Sequence, residues 1–195
     1  MPPRIREMAK KNLINPEQVN IAISKPAEGI MQAAYMVYDN QKNALIVDLL
    51  KGKNLQSVLV FSATKDNVKN LERDLYKLRL SVKAIHSDLE QKEREQVLRD
   101  FTSRKTQVLV ATDILARGID IEGIDLVINY DVPRDVEDYV HRIGRTARAQ
   151  TTGVAITFVN EKDQRSFKKI EDFLGKEIFK TPLPPHLGKG PAYRP

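Results

Sequence analysis

Short, almost wholly apolar runs recur along most of the chain, at residues 33–37, 58–61, 82–85, 108–110, 126–129 and 154–158. Most of the intervals between them carry apolar residues at helical spacing, over residues 41–51, 66–78, 91–101, 136–143 and 162–173. Strand-like runs alternating with helical ones predict an α/β fold of three layers, a mostly parallel sheet flanked by helices on both faces. The runs are short and apolar at nearly every position, with Lys83, Asn129 and Thr157 the exceptions, as strands buried on both faces should be. In such sheets the working residues collect just beyond the carboxyl ends of the strands.

Four of the predicted strands end in hydrogen-bonding residues. Ser62, Ala63 and Thr64 follow the first, and His86, Ser87 and Asp88 the next. Ala111, Thr112 and Asp113 follow the third, and Tyr130 and Asp131 the fourth. Helix capping accounts for any one of these, because Ser, Thr and Asp start helices, and Thr64 is expected to cap the helix that follows it. Four together point to an anion-binding edge.

The two ends of the chain break the rhythm. Residues 4–13 have a short helical pattern, closed by Asn15 and Pro16, and residues 19–23 alternate like a strand. One strand and one short helix do not bury each other, so residues 1–24 read as the remnant of a preceding domain. Residues 25–30, with Pro26 and Gly29, read as a linker and residues 31–180 as the main domain. The strand at 19–23 is expected to be disordered, packed on the surface, or paired with an exposed edge of a neighbouring molecule in an otherwise monomeric chain. Residues 181–195 hold Pro182, Pro184, Pro185, Pro191 and Pro195 and predict an extended, partly disordered tail.

Composition narrows the function classes. The chain has 195 residues, 41% of them apolar, with no run long enough to span a bilayer and no apolar core of a signal peptide. It has no cysteine, which excludes disulfides, thiolate metal sites and cysteine nucleophiles. Three scattered histidines argue against a metal centre. A cytoplasmic protein fits all of this. The net charge is +6, yet acids and bases nearly balance between residues 31 and 160, so the surplus lies in the two ends. Anion binding in the core must come from local placement rather than from an overall field.

The strongest local placement is residues 139–148. Arg142, Arg145 and Arg148 recur at every third position beside His141, with no acid among them. Helical spacing would aim these like charges at one place, and the guanidinium fork suits phosphate. A solvated basic helix face is the competing explanation.

Three stretches, taken together, carry a family resemblance. Residues 108–121 read Val-Leu-Val-Ala-Thr-Asp-Ile-Leu-Ala-Arg-Gly-Ile-Asp-Ile and resemble motif V of DEAD-box RNA helicases. Residues 139–148, Tyr-Val-His-Arg-Ile-Gly-Arg-Thr-Ala-Arg, resemble motif VI, and Gln91-Lys92-Glu93-Arg94 resembles the Q-x-x-R motif. Residues 58–65 stand where motif IV belongs, and residues 126–131 resemble the segment after motif V. The resemblance covers roughly residues 30–180 and is to the C-terminal RecA-like domain of the family. Residues 1–5 look like the sequence just after motif III, near the end of the first domain.

The resemblance implies a division of labour. ATP and Mg2+ would be bound mainly by an absent first RecA-like domain carrying the phosphate loop and the magnesium carboxylates. Arg145 and Arg148 would be arginine fingers on the γ-phosphate, and Asp120, beside Gly118, would meet the ATP ribose. RNA would be gripped through its sugar-phosphate backbone by Gln91, Arg94, Thr112, Arg117, Gly118 and Thr64. His141, Arg142 and Asp113 would couple the domains, Arg142 either at the interface or paired with an acid such as Asp113. No metal site is expected on this chain. Without a Gly-x-x-x-x-Gly-Lys-[Ser/Thr] loop the chain alone is expected to be inactive. With no tryptophan there is little to stack bases on, so binding should be indifferent to base sequence.

Three departures qualify the match. Ser62-Ala63-Thr64 spells the family's motif III tripeptide but stands in the position of motif IV. Ala147 and Ser87 replace glycines usual in the family. A non-catalytic RNA- or partner-binding module with the same fold, and a DNA-directed helicase domain of the same superfamily, are the alternatives.

Overall fold

The computed structural model describes residues 7–8, 11–12, 29–113, 121, 123–146 and 153–195. Among these, seven strands are β1 (Ile30–Met36), β2 (Val58–Phe61), β3 (Val82–Ile85), β4 (Val108–Ala111), β5 (Leu126–Asn129), β6 (Gly153–Val159) and β7 (Phe179–Lys180). They form one sheet in the order β3-β4-β2-β5-β6-β1-β7, with every pairing parallel. The α-helices are α1 (Lys42–Leu50), α2 (Lys65–Lys77), α3 (Gln91–Thr102), α4 (Val136–Gly144) and α5 (Gln164–Leu174).

The helices make two outer layers. Val58 and Val60 of β2 face α1 and α2, joining Leu45, Leu49, Val68, Leu71 and Leu75. Leu59 and Phe61 face the other way, toward Phe101 of α3, Tyr139 and Ile143 of α4, and Phe167 and Ile170 of α5. Successive side chains of a strand point to opposite faces, so a strand covered on both sides must be apolar throughout. This three-layer parallel architecture is the one the sequence pattern predicts.

Local sequence sets the helix ends. Thr64 accepts a hydrogen bond from Asn67 N at 3.2 Å and caps α2, as expected. Asp66 in the first turn and Lys77 in the last complement the helix dipole. Gly175, at φ 67°, supplies the left-handed residue that ends α5.

Two expectations need correction. β1 starts at Ile30, inside the stretch assigned to a linker, and the two-residue β7 extends the sheet beyond it. The proline-rich tail is extended but it is not loose. Leu183 and Leu187 pack on the α1/α2 side, while Tyr193 joins the opposite core. Between them the chain turns around the end of β1, where Gln41 Nε2 donates to Leu187 O at 2.7 Å. Gln164 then donates to Ala192 O and accepts from Arg194 N, and Tyr193 donates to Glu171 at 2.7 Å. These side-chain partners satisfy backbone groups that a proline-rich segment has no ladder to pair. The predicted strand at residues 19–23 lies outside the described residues. No helix among those described is long and apolar enough to cross a membrane.

Candidate nucleic-acid interface

Strand register puts the predicted polar ends in one row. Phe61 pairs with Ala111 and Asn129, and Ile85 pairs with Ala111, so β3, β4, β2 and β5 finish level with one another. The residues that follow emerge side by side. Thr64 (after β2), Thr112 (after β4) and Gln91 with Arg94 (after β3) therefore stand on three adjacent strands.

Carboxylates tie this row together. Asp131 accepts from Ser62 Oγ at 2.8 Å and from Ala63 N at 2.9 Å, fastening the turn after β2 to the end of β5. The same carboxylate receives Lys42 Nζ at 3.2 Å, a buried ammonium that also pairs with Asp39 at 2.9 Å. Asp88 pairs with Lys69 and with Lys65, the latter at 2.9 Å, joining the turn after β3 to the start of α2. Hydrogen bonds from Lys69 and then Lys65 hold the Asp88 carboxyl down at about 2.

Gln91 is exposed at the start of α3 and donates to Glu95 Oε1 at 3.1 Å. Arg94, one turn on, folds back to give Ser87 O a 2.9 Å hydrogen bond. Its Nε is buried and has no hydrogen-bond partner among the described residues. Thr112 is half-buried between these groups and Thr64.

Arg142 is the most heavily committed side chain of the row. It is 3% exposed. Its Nε and Nη2 reach the two carboxylate oxygens of Asp113 at 2.5 and 2.8 Å. Its Nη1 reaches Asn129 Oδ1 at 3.2 Å and Asp131 O at 2.8 Å, and the guanidinium lies 5.0 Å from the Phe61 ring centroid. The pairing with Asp113 is the one named from the sequence. Asn129, buried at the end of β5, steadies the arrangement by donating to Thr157 Oγ1 at 3.1 Å.

The helix ends between the first two arginines of the run. α4 ends at Gly144, and Arg145 is its half-buried C-cap, whose carbonyl accepts from Ile124 N just ahead of β5. Arg142, in the last turn of α4, reaches back to Asp113, Asn129 and Asp131 at the carboxyl ends of the strands, and Arg145 caps the same end of the helix. Buried Thr146 fixes this break by donating to Ile124 O at 2.6 Å and accepting from Val154 N at 3.2 Å. His141 is exposed on α4. Arg117, Gly118, Asp120, Ala147 and Arg148 lie outside the described residues.

Lys42, Asn129 and Thr146 were not among the residues predicted from sequence. Lys42 and Asn129 had a signal, a polar residue at the boundary of an apolar pattern. Thr146 had none, because its partners are distant in sequence.

A parallel three-layer α/β domain, with a polar row at its strand ends and two arginines at the end of one helix, defines the class. The description "Helicase conserved C-terminal domain" matches residues 41–150, more than half of the chain. "ATP-dependent RNA helicase DbpA" of Bacillus subtilis (strain 168) is 38% identical over 185 residues, covering 94% of this chain and 39% of that protein. A DEAD box protein from the hyperthermophile Methanococcus jannaschii superposes with a TM-score of 0.73 at 36% identity, over 93% of this chain and 49% of that one. Saccharomyces cerevisiae Dbp5, solved bound to RNA and ADP BeF3, superposes with a TM-score of 0.79 at 30% identity, again over 93% and 49%. This chain belongs to the helicase conserved C-terminal domain family, in its DEAD-box, RecA-like form. It spans less than half the length of each of these relatives.

Proposed function

We propose that this chain is the second half of an ATP-dependent RNA helicase core, acting with a first RecA-like domain in the cytoplasm. RNA runs along the row formed by Thr64, Thr112, Gln91 and Arg94, joined by Arg117 and Gly118. ATP faces the C-terminal end of α4, where Arg145 and Arg148 meet the γ-phosphate and Asp120 with Gly118 meets the ribose. His141 faces the first domain.

The observation that carries this reading is the bidentate Arg142–Asp113 pair. It fixes α4, which ends at Arg145, to the segment that begins with Thr112. A shift of the RNA-facing turn is thereby transmitted to the arginine that faces ATP. Rigid packed elements with paired charges are what such coupling requires.

Electrostatics supports a shared site. Arg145 brings positive charge to a place where negative charge would develop during phosphoryl transfer, without itself holding the nucleotide. Mg2+ would come with ATP on first-domain carboxylates. Among the described residues no group of three His, Cys, Asp or Glu side chains could hold a metal ion.

The test is RNA-stimulated ATP hydrolysis with the first domain joined to this chain. Arg145→Ala should lower turnover on the order of 10³-fold or more and leave RNA affinity in place. Turnover unaffected by Arg145→Ala would sink the finger assignment, and hydrolysis by this chain alone would sink the division of labour with a first domain.

A further inference from the structure

The row of strand ends continues into a cavity of about 370 Å³ on the α1/α2 side. Asn67, Asn70 and Asp74 line it from α2, and Asn43, Tyr130 and Asp131 form part of its wall, which is open to solvent. Positions 67, 70 and 74 are three and four apart, so they share one face of α2. The cavity is continuous with the RNA row. Asn67 N caps on Thr64, and Asp131 holds Ser62 and Ala63.

Charge and chemistry restrict the occupant. Lys42 and Lys162 are set against Asp39, Asp74 and Asp131, and Lys42 is already paired with Asp39 and Asp131. A phosphate has no free buried cation to meet there. Acceptors are in excess, which favours a neutral group bearing an amino donor. The Asn70 amide oxygen is taken by Arg73, and Asn43 accepts from Tyr130 and donates to Asp74. The side-chain amide of Asn67 has no hydrogen-bond partner among the described residues. A free asparagine amide presents an acceptor beside a donor. That pair matches the amino group and ring nitrogen of adenine, with Asp74 as a further acceptor. The volume falls within the usual range for small-ligand sites and accommodates one unstacked base.

We propose that this cavity takes one flipped adenine base of the bound RNA, read by Asn67 and Asp74. The inference rests on the RNA row described above and adds one position of base preference to an otherwise backbone-directed grip. Sequence-specific RNA recognition generally targets such splayed bases on their hydrogen-bonding edges.

The experiment uses this chain joined to its first domain, with uridine oligomers carrying a single adenosine at successive positions. One register should bind about 10-fold tighter than all-uridine RNA. Asn67→Ala, at an exposed position, should abolish that advantage and leave all-uridine affinity unchanged. An equal response at every register, with Arg94→Ala still weakening all oligomers, overturns the base subsite and leaves the RNA row standing. All-uridine RNA that does not bind, or binding indifferent to Arg94→Ala, overturns the row and the subsite with it.

Discussion

Arg142 and Asp113 meet through two parallel hydrogen bonds of 2.5 and 2.8 Å across the space between α4 and the end of β4. The arginine is almost wholly buried and its remaining donor is shared between Asn129 and Asp131. Removing one partner of a buried pair strands the other, at about 3–5 kcal/mol. Arg142→Ala should therefore lower the unfolding free energy by about 3 kcal/mol. Arg142→Lys keeps the charge but loses the fork, and should cost about 1–2 kcal/mol through lost hydrogen bonds. Urea titrations read both. An Arg142→Lys midpoint equal to wild type would mean that charge alone, and not geometry, holds the pair.

Gly153 opens β6 directly against Thr146. A Cβ at Gly153 would stand 2.3 Å from Thr146 O, a backbone atom with no room to withdraw. The same test at Gly190 meets Met36 O at 1.8 Å. Gly153→Ala should destabilise the whole domain by about 3 kcal/mol, because it pushes apart the end of α4 and a central strand. Gly190→Ala should act locally, releasing the tail while the domain midpoint moves little. Urea unfolding and hydrogen exchange over residues 181–195 separate the two effects. A global loss from Gly190→Ala would make the tail part of the cooperative core.

Much of this was legible from the chain alone. The runs are short, almost wholly apolar and separated by helical spacing, so neither the parallel sheet nor its two helical layers depended on distant information. The row of strand ends followed from topology, because all the strands point one way. The end of the arginine helix was not legible, because Thr146 closes it through hydrogen bonds to the distant Ile124 and Val154. The tail misled. Prolines exclude a ladder, but they do not exclude docking by Gln41, Gln164 and Glu171, whose reach spans more than a hundred residues for Gln41. Local pattern recorded the elements; contacts between distant elements decided their ends.

Glu171 makes tail docking depend on pH. Burial alone would push its carboxyl up, but hydrogen bonds from Lys180, Tyr193 and the Ile178 amide outweigh burial and hold it below its ordinary value of 4.5. A carboxyl depressed in the folded state contributes stability above its ordinary value, lost as pH falls through the folded one. Hydrogen-exchange protection at residues 189–195 should accordingly be full at neutral pH and fall away below about 4.5. Glu171→Gln should show weakened protection at pH 7 and little further change in acid. Unchanged protection in the variant at pH 7 would assign the docking to Gln164 and to packing of Tyr193 on Phe167.

On the proposed reading of the row as an RNA grip, Asp88 sets how much positive charge it would offer. It neutralises Lys65 and Lys69 together, on an exposed surface where such pairs add little to stability. Asp88→Asn should leave the unfolding midpoint nearly unchanged and free both ammonium groups. Each lysine that then engages a single-strand phosphate steepens the log–log salt dependence of binding by about 0.7. The variant, joined to its first domain, should bind RNA more tightly at low salt and converge with wild type as salt rises. Its slope should be steeper by about 0.7–1.4, read by fluorescence anisotropy across a salt series. A slope equal to wild type would show that Lys65 and Lys69 point away from the phosphates, and would confine the RNA row to Thr64, Thr112, Gln91 and Arg94.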